Sequence, residues 1–230
     1  MIRIFKSVIT VALMGMIFSS CQEEKQQETK EQKVEQNSAP QEPLKEEVKE
    51  VSEVLNANLA TEEQLKGLGL SEEVVASVVA ARPFMKVNEF ADLLTDVENK
   101  EELFTKIFVP MNLNTTPEDD FKMIPRVGDR MAHEFEEYRP YVNMKQFRKE
   151  IGKYVDEAEV KRYESYVFVP AELNTTAEDD IKELPGVGKR IAHEIEEYRP
   201  YENIEQFRKE LGKYVDDKEL KRLERLVYLK

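Results

Sequence analysis

Residues 113–169 recur at 173–229 without a gap, and 37 of the 57 aligned positions are identical. LNTT, EDD, EEYRPY, QFRKE and GKYVD return intact. A diverged third copy precedes them. The stretch ANLATEEQLKGLGLSEEVVASVVAARPFMKVNEFADLL aligns through the polar start, the apolar helix and the Arg82-Pro83 break. Such a period marks tandem supersecondary units that bury their apolar faces against one another. The copies predict units over 51–112, 113–172 and 173–230. At this size each unit lies near the lower limit for an independent core, so neighbouring units are expected to touch.

Each unit reads as four short helices. In the third copy Thr176 is placed to cap a first helix, with Asp179 completing a capping-box arrangement. Ile181 and Leu184 supply its apolar side, and Pro185 and Gly186 stop it. Ile191, Ala192, Ile195 and Tyr198 share one face of a second helix, from about Gly188 to Tyr198. Arg199-Pro200 ends it, because a residue before proline avoids the helical region. Ile204, Phe207 and Leu211 mark a third helix closed by Gly212. Asp216 or Asp217 caps a fourth, carrying Leu220, Leu223, Leu226 and Val227. None of these helices is long enough to stand alone, so they must pack on each other. Strand signals are confined to KIFVP and YVFVP. The expected fold class is all-α.

The N-terminus reads as a targeting segment. Arg3 and Lys6 precede the apolar run VITVALMGMIF, which is short for a membrane span, and Ser19-Ser20-Cys21 follows. FSSC resembles a lipobox, the cleavage and lipidation site of bacterial lipoproteins. The resemblance implies a signal peptide over 1–20, an acylated Cys21 and a lipid-anchored protein of the cell envelope. Each acyl CH₂ would add roughly 0.8 kcal/mol of membrane affinity. Residues 21–50 contain almost no large apolar side chains and read as a disordered acidic tether. QEEK after Cys21 also resembles surface-export signals on lipoproteins of the Bacteroidota. Cys21 is the only cysteine, which excludes an intramolecular disulfide and a multi-cysteine zinc site.

The turn LPGVGKR at 184–190 concentrates the functional signal, with IPRVGDR at 124–130 as its counterpart. Gly186 and Gly188 permit backbone geometry that side chains forbid, and Val187 points inward to fix the turn. The amides opening the next helix have no intrahelical partner and carry the positive end of its dipole, which suits an anion. Lys189 and Arg190 add two cations. A phosphate held there is held without regard to base sequence.

LNTTAEDDIKELPGVGKRIAHEI resembles the helix-hairpin-helix motif, whose hairpin has the form h-P-G-h-G. The surrounding unit is similar to the small domain of the ComEA competence DNA receptor. The resemblance covers all three copies and is strongest in the third. It implies an all-α fold and non-specific contact with the backbone of double-stranded DNA. Carried over by position, the contacts would be Gly186, Val187, Gly188, Lys189 and Arg190. In the second copy they would be Arg126, Val127, Gly128, Asp129 and Arg130. There Arg126 replaces a glycine, and Asp129 is positioned to fill the phosphate site itself. In the first copy KGLGLSEE lacks the proline, and Ser71, Glu72 and Glu73 stand where glycine and two cations belong, so no phosphate binding is expected. GKYVDD occupies the place of a second hairpin without being one.

Charge restrains this reading. The chain carries a net charge of -13, and the three units carry -6, -3 and -2, whereas DNA-binding domains usually show a basic face. Affinity for DNA comes largely from cation contacts that release counterions. Arg208, Lys209 and Lys213 are candidates to extend a basic stripe. Two readings stay open: DNA binding through the third unit, and an extracytoplasmic protein-interaction scaffold. No enzymatic signature is present: no Ser-His-Asp order, Walker loop or HExxH. His193 and Glu197 read as a solvated surface pair, and the tyrosines of EEYRPY as packing residues. No cofactor or metal is expected.

Overall fold

The computed structural model describes residues 54–230. The segments read as a signal peptide and a tether, with Cys21 between them, lie outside the described residues. Within them, one order of elements occurs three times. A two-residue strand leads into four helices, and a second two-residue strand closes the set. The first set holds β1 (Leu55–Asn56), α1 (Glu62–Gly67), α2 (Glu72–Ala81), α3 (Val87–Asp92), α4 (Lys100–Phe104) and β2 (Ile107–Phe108). The second holds β3 (Met111–Asn112), α5 (Glu118–Phe121), α6 (Asp129–Glu137), α7 (Met144–Ile151), α8 (Glu157–Glu164) and β4 (Val167–Phe168). The third holds β5 (Ala171–Glu172), α9 (Glu178–Lys182), α10 (Lys189–Glu197), α11 (Ile204–Leu211), α12 (Asp217–Glu224) and β6 (Val227–Tyr228).

The body is therefore mostly helical, with one addition. The two strands of each set pair in parallel, with Leu55 opposite Ile107, Met111 opposite Val167 and Ala171 opposite Val227. Each set is thus closed by its own ends. The pairing moves the junctions slightly toward the N-terminus: Met111 opens the second set and Ala171 the third. It also removes Val227 from the fourth helix, which ends at Glu224.

The recurring words of the sequence are latches. In LNTT, the Asn174 side-chain amide donates to the Tyr201 carbonyl at 2.9 Å, and its oxygen accepts the Tyr201 amide at 2.7 Å. Asn114 does the same with Tyr141 at 2.9 and 2.8 Å. Asn58 does so with Phe84 at 3.1 and 2.7 Å. The arginines of RPY hold the other side. Arg199 donates to the Leu173 and Thr176 carbonyls, and Arg139 to those of Leu113 and Thr116. These irregular backbone groups lack ladder partners, so side chains must satisfy them. The expected cap on Thr176 is corrected accordingly. Its hydroxyl accepts the Glu172 amide at 2.9 Å, and α9 begins after Ala177 without a side-chain cap. A capping box does form in the first set, between Thr61 and Gln64.

The sets are joined through short, buried junctions. Only Val109-Pro110 and Val169-Pro170 separate consecutive sets, and all four residues are buried. One apolar core runs through the first two sets, where Phe84, Phe90, Phe104, Phe108 and Tyr166 form a chain of aromatic contacts. Phe168, the last strand residue of the second set, belongs to the core of the third. Polar contacts repeat across the seams: Asn88 to Asp120 at 3.2 Å, Lys145 to Asp180 at 3.6 Å, and Arg148 to Glu183 at 3.2 Å. The third set also reaches back, since Arg225 donates to the Pro110 carbonyl and lies over the Phe168 ring.

Candidate anion site at the start of the tenth helix

In the third set, α9 and α10 are joined by the bend Glu183–Gly188. Leu184 and Val187 are buried and fasten the bend to the core. The Val187 amide donates to the Leu184 carbonyl, and the Ala192 amide to that of Gly188, the first bond of α10. Gly186 adopts φ +68°, the left-handed region that a side chain disfavours. The side of the bend away from α10 is occupied. Leu59 of the first set lies where a Gly186 side chain would begin. Arg222, buried in α12, donates to the Pro185 and Gly186 carbonyls at 2.6 and 3.1 Å while Glu219 balances its charge.

The mouth of α10 is different. Gly188 is its N-cap, with no side-chain cap, and nothing else comes within 4 Å of the position of a Cβ there. Gly188, Lys189 and Arg190 are exposed. No acidic residue stands in the first turn. Neither cation forms an ion pair among the described residues, where the neighbouring pairs are Lys182 with Glu178 and Asp179, and Lys213 with Glu210. The other helices of eight or more residues, α6 apart, contrast with this. Ser71, Asn143, Asp156, Asn203 and Asp216 each cap their own helix with a side-chain oxygen.

The second set offers a weaker copy. Gly128 also caps α6 without a side-chain bond, and Val127 is buried as expected. Arg126 takes the left-handed conformation that Gly186 takes in the third set, at φ +66°, and lies 3.7 Å from Glu159. Asp129 does not fold back over the amides to form a cap. It pairs with Lys122 at 2.6 Å, and that hydrogen bond holds its carboxyl below the usual range. Arg130 is exposed and free of ion pairs among the described residues. In the first set Ser71 accepts the Val74 amide at 3.3 Å and fills the site from within.

Of the proposed basic stripe, Arg208 is bound to Glu224 and Glu205, and Lys213 to Glu210. Tyr141 and Tyr201 are buried as packing residues. His133 pairs with Glu118 at 3.2 Å, and His193 lies 3.8 Å from Glu197. Nothing in the local sequence pattern gives Arg162 and Arg222 a role, although both brace the bends. Their recurrence at one position in two copies was the available signal. Among the described residues no group of three or more His, Cys, Asp or Glu is placed to hold a metal, and no helix is long and apolar enough to cross a membrane. The chain matches no protein-family model, no curated protein and no solved structure.

Proposed function

We propose that this chain is a lipid-anchored protein of the cell envelope built from three helix-hairpin-helix units of the ComEA type. We further propose that it holds double-stranded DNA through backbone phosphates, without regard to sequence. The observation that carries the DNA reading is the open start of α10. Its free amides and the positive end of its dipole meet two unpaired cations, Lys189 and Arg190. Val187 and Gly188 shape the mouth, while Gly186 sets the bend from behind. In the second unit Val127, Gly128 and Arg130 offer a lesser contact, with Asp129 opposing it. The anchor is Cys21. No catalytic activity and no cofactor are proposed.

Charge reversal tests the reading. Lys189→Glu with Arg190→Glu should abolish the gel shift of a duplex by the full chain at about 50 mM salt, where counterion release favours binding most. Both residues are exposed, so helicity should be retained. Wild-type affinity in this variant would reject the site. A second reading, a protein-interaction scaffold without DNA contact, is favoured by the packing of the Gly186 bend against Leu59. Unchanged duplex mobility with the folded wild-type chain would select it.

A further inference from the structure

Four side chains beside the third bend form a group that recurs, position for position, in the second set. The Arg190 guanidinium carbon lies 5.4 Å from the Tyr214 ring centre, and the Lys213 ammonium 4.8 Å from that of Tyr198. The two tyrosine hydroxyls are 2.8 Å apart. In the second set Arg130 lies 5.8 Å from the Tyr154 ring centre, Lys153 lies 4.8 Å from that of Tyr138, and the hydroxyls are 2.7 Å apart. All four cations lie within the roughly 6 Å at which a ring face attracts them.

The cations differ in what else they touch. Lys213 and Lys153 are neutralised by Glu210 and Glu150. Arg190 and Arg130 have no carboxylate partner among the described residues. A carboxylate would occupy the guanidinium fork and cancel its charge. A ring face restrains the guanidinium from one side and leaves its N–H donors free. The hydroxyl bond fixes each ring in turn, so the arginine is held in place with its planar donor fork unused. That fork matches phosphate oxygens.

We propose that Tyr214 and Tyr154 are positioning residues that hold Arg190 and Arg130 as grips on the phosphate backbone of duplex DNA, one in the third set and one in the second. The inference rests on the DNA reading above. It gives the second set a grip that does not depend on its amides, beside which Asp129 stands. It also gives GKYVD a role: its tyrosine is the platform.

The test is fluorescence anisotropy of a labelled random-sequence duplex of about 20 bp with the full chain, at about 50 mM salt. Tyr214→Leu should weaken binding about five-fold, the size of an exposed cation–ring contact, while Tyr214→Phe, which keeps the ring and loses only the hydroxyl bond, should weaken it less. Arg190→Gln should cost at least as much, and adding Tyr214→Leu to it should cost nothing more. Tyr154→Leu and Arg130→Gln should behave likewise in the second set. Wild-type affinity in both leucine variants, with Arg190→Gln weakened, would overturn the positioning role and leave the DNA reading intact. Equal losses in Tyr214→Phe and Tyr214→Leu would also overturn it. No binding by the wild-type chain would overturn both. If Tyr214→Leu fails to fold, the Tyr214→Phe and Tyr154→Leu comparisons still decide the matter.

Discussion

Asn174→Ala isolates the claim that LNTT is repeated for folding. The substitution removes two hydrogen bonds, from Asn174 to the Tyr201 carbonyl and from the Tyr201 amide to Asn174. Tyr201 is only 3% exposed, so water replaces the lost partner poorly. Two net bonds at ~1 kcal/mol each, plus part of the ~1–3 kcal/mol for an unpaired buried group, give a loss of about 2–4 kcal/mol. For a body of this size, 1 kcal/mol moves Tm by roughly 2–4 °C, so the melt should fall by roughly 4–16 °C. Thermal unfolding followed by circular dichroism at the helix band reads this directly. Thr115→Ala, in the same motif of the second set, should shift Tm far less, because Thr115 is exposed and its hydroxyl makes no hydrogen bond among the described residues. An unchanged Tm in Asn174→Ala would refute the latch. An unchanged Tm with weaker DNA binding would mean that the motif was repeated for the ligand.

The buried junctions Val109-Pro110 and Val169-Pro170 predict a single cooperative unfolding transition by calorimetry, not three. Arg126 holds φ +66° without a glycine. Arg126→Gly should relieve that cost and stabilise the protein by about 0.5–1 kcal/mol in denaturant unfolding, after allowing for the long, half-exposed pair with Glu159. Glu118 raises the pKa of His133 above 6.5, through a hydrogen bond first and its charge second. The stabilisation is therefore complete below the unfolded value and is lost as pH rises through the folded value. In an NMR titration the His133 midpoint should drop in Glu118→Gln.

Helices with local punctuation were legible in the sequence. Pro185-Gly186 and Arg199-Pro200 bound α10, and Ile195 with Ala192 marks its buried face. Asp216 caps α12 as its position suggested. What escaped depends on partners far along the chain. Val227 reads as a helix position until it is seen paired with Ala171, 56 residues away (227 − 171). Thr176 reads as a cap, yet its hydroxyl takes the Glu172 amide, and Asn174 beside it holds Tyr201 across two helices. The open start of α10 followed from Gly188 and the two cations after it. The blocking of Gly186 did not, because Leu59 comes from another set. The tyrosine platforms show in the sequence only as an unexplained identity between two copies.

The most direct test of the account is the salt dependence of duplex affinity for the full chain. Two or three phosphate grips should give a log–log slope of roughly 2–3 in Kd against salt concentration, at ~0.9 per phosphate. The slope should fall by about one with Arg190→Gln. A duplex that fails to bind at low salt, or binds with a slope near zero, would contradict the claim that α10 opens onto a phosphate.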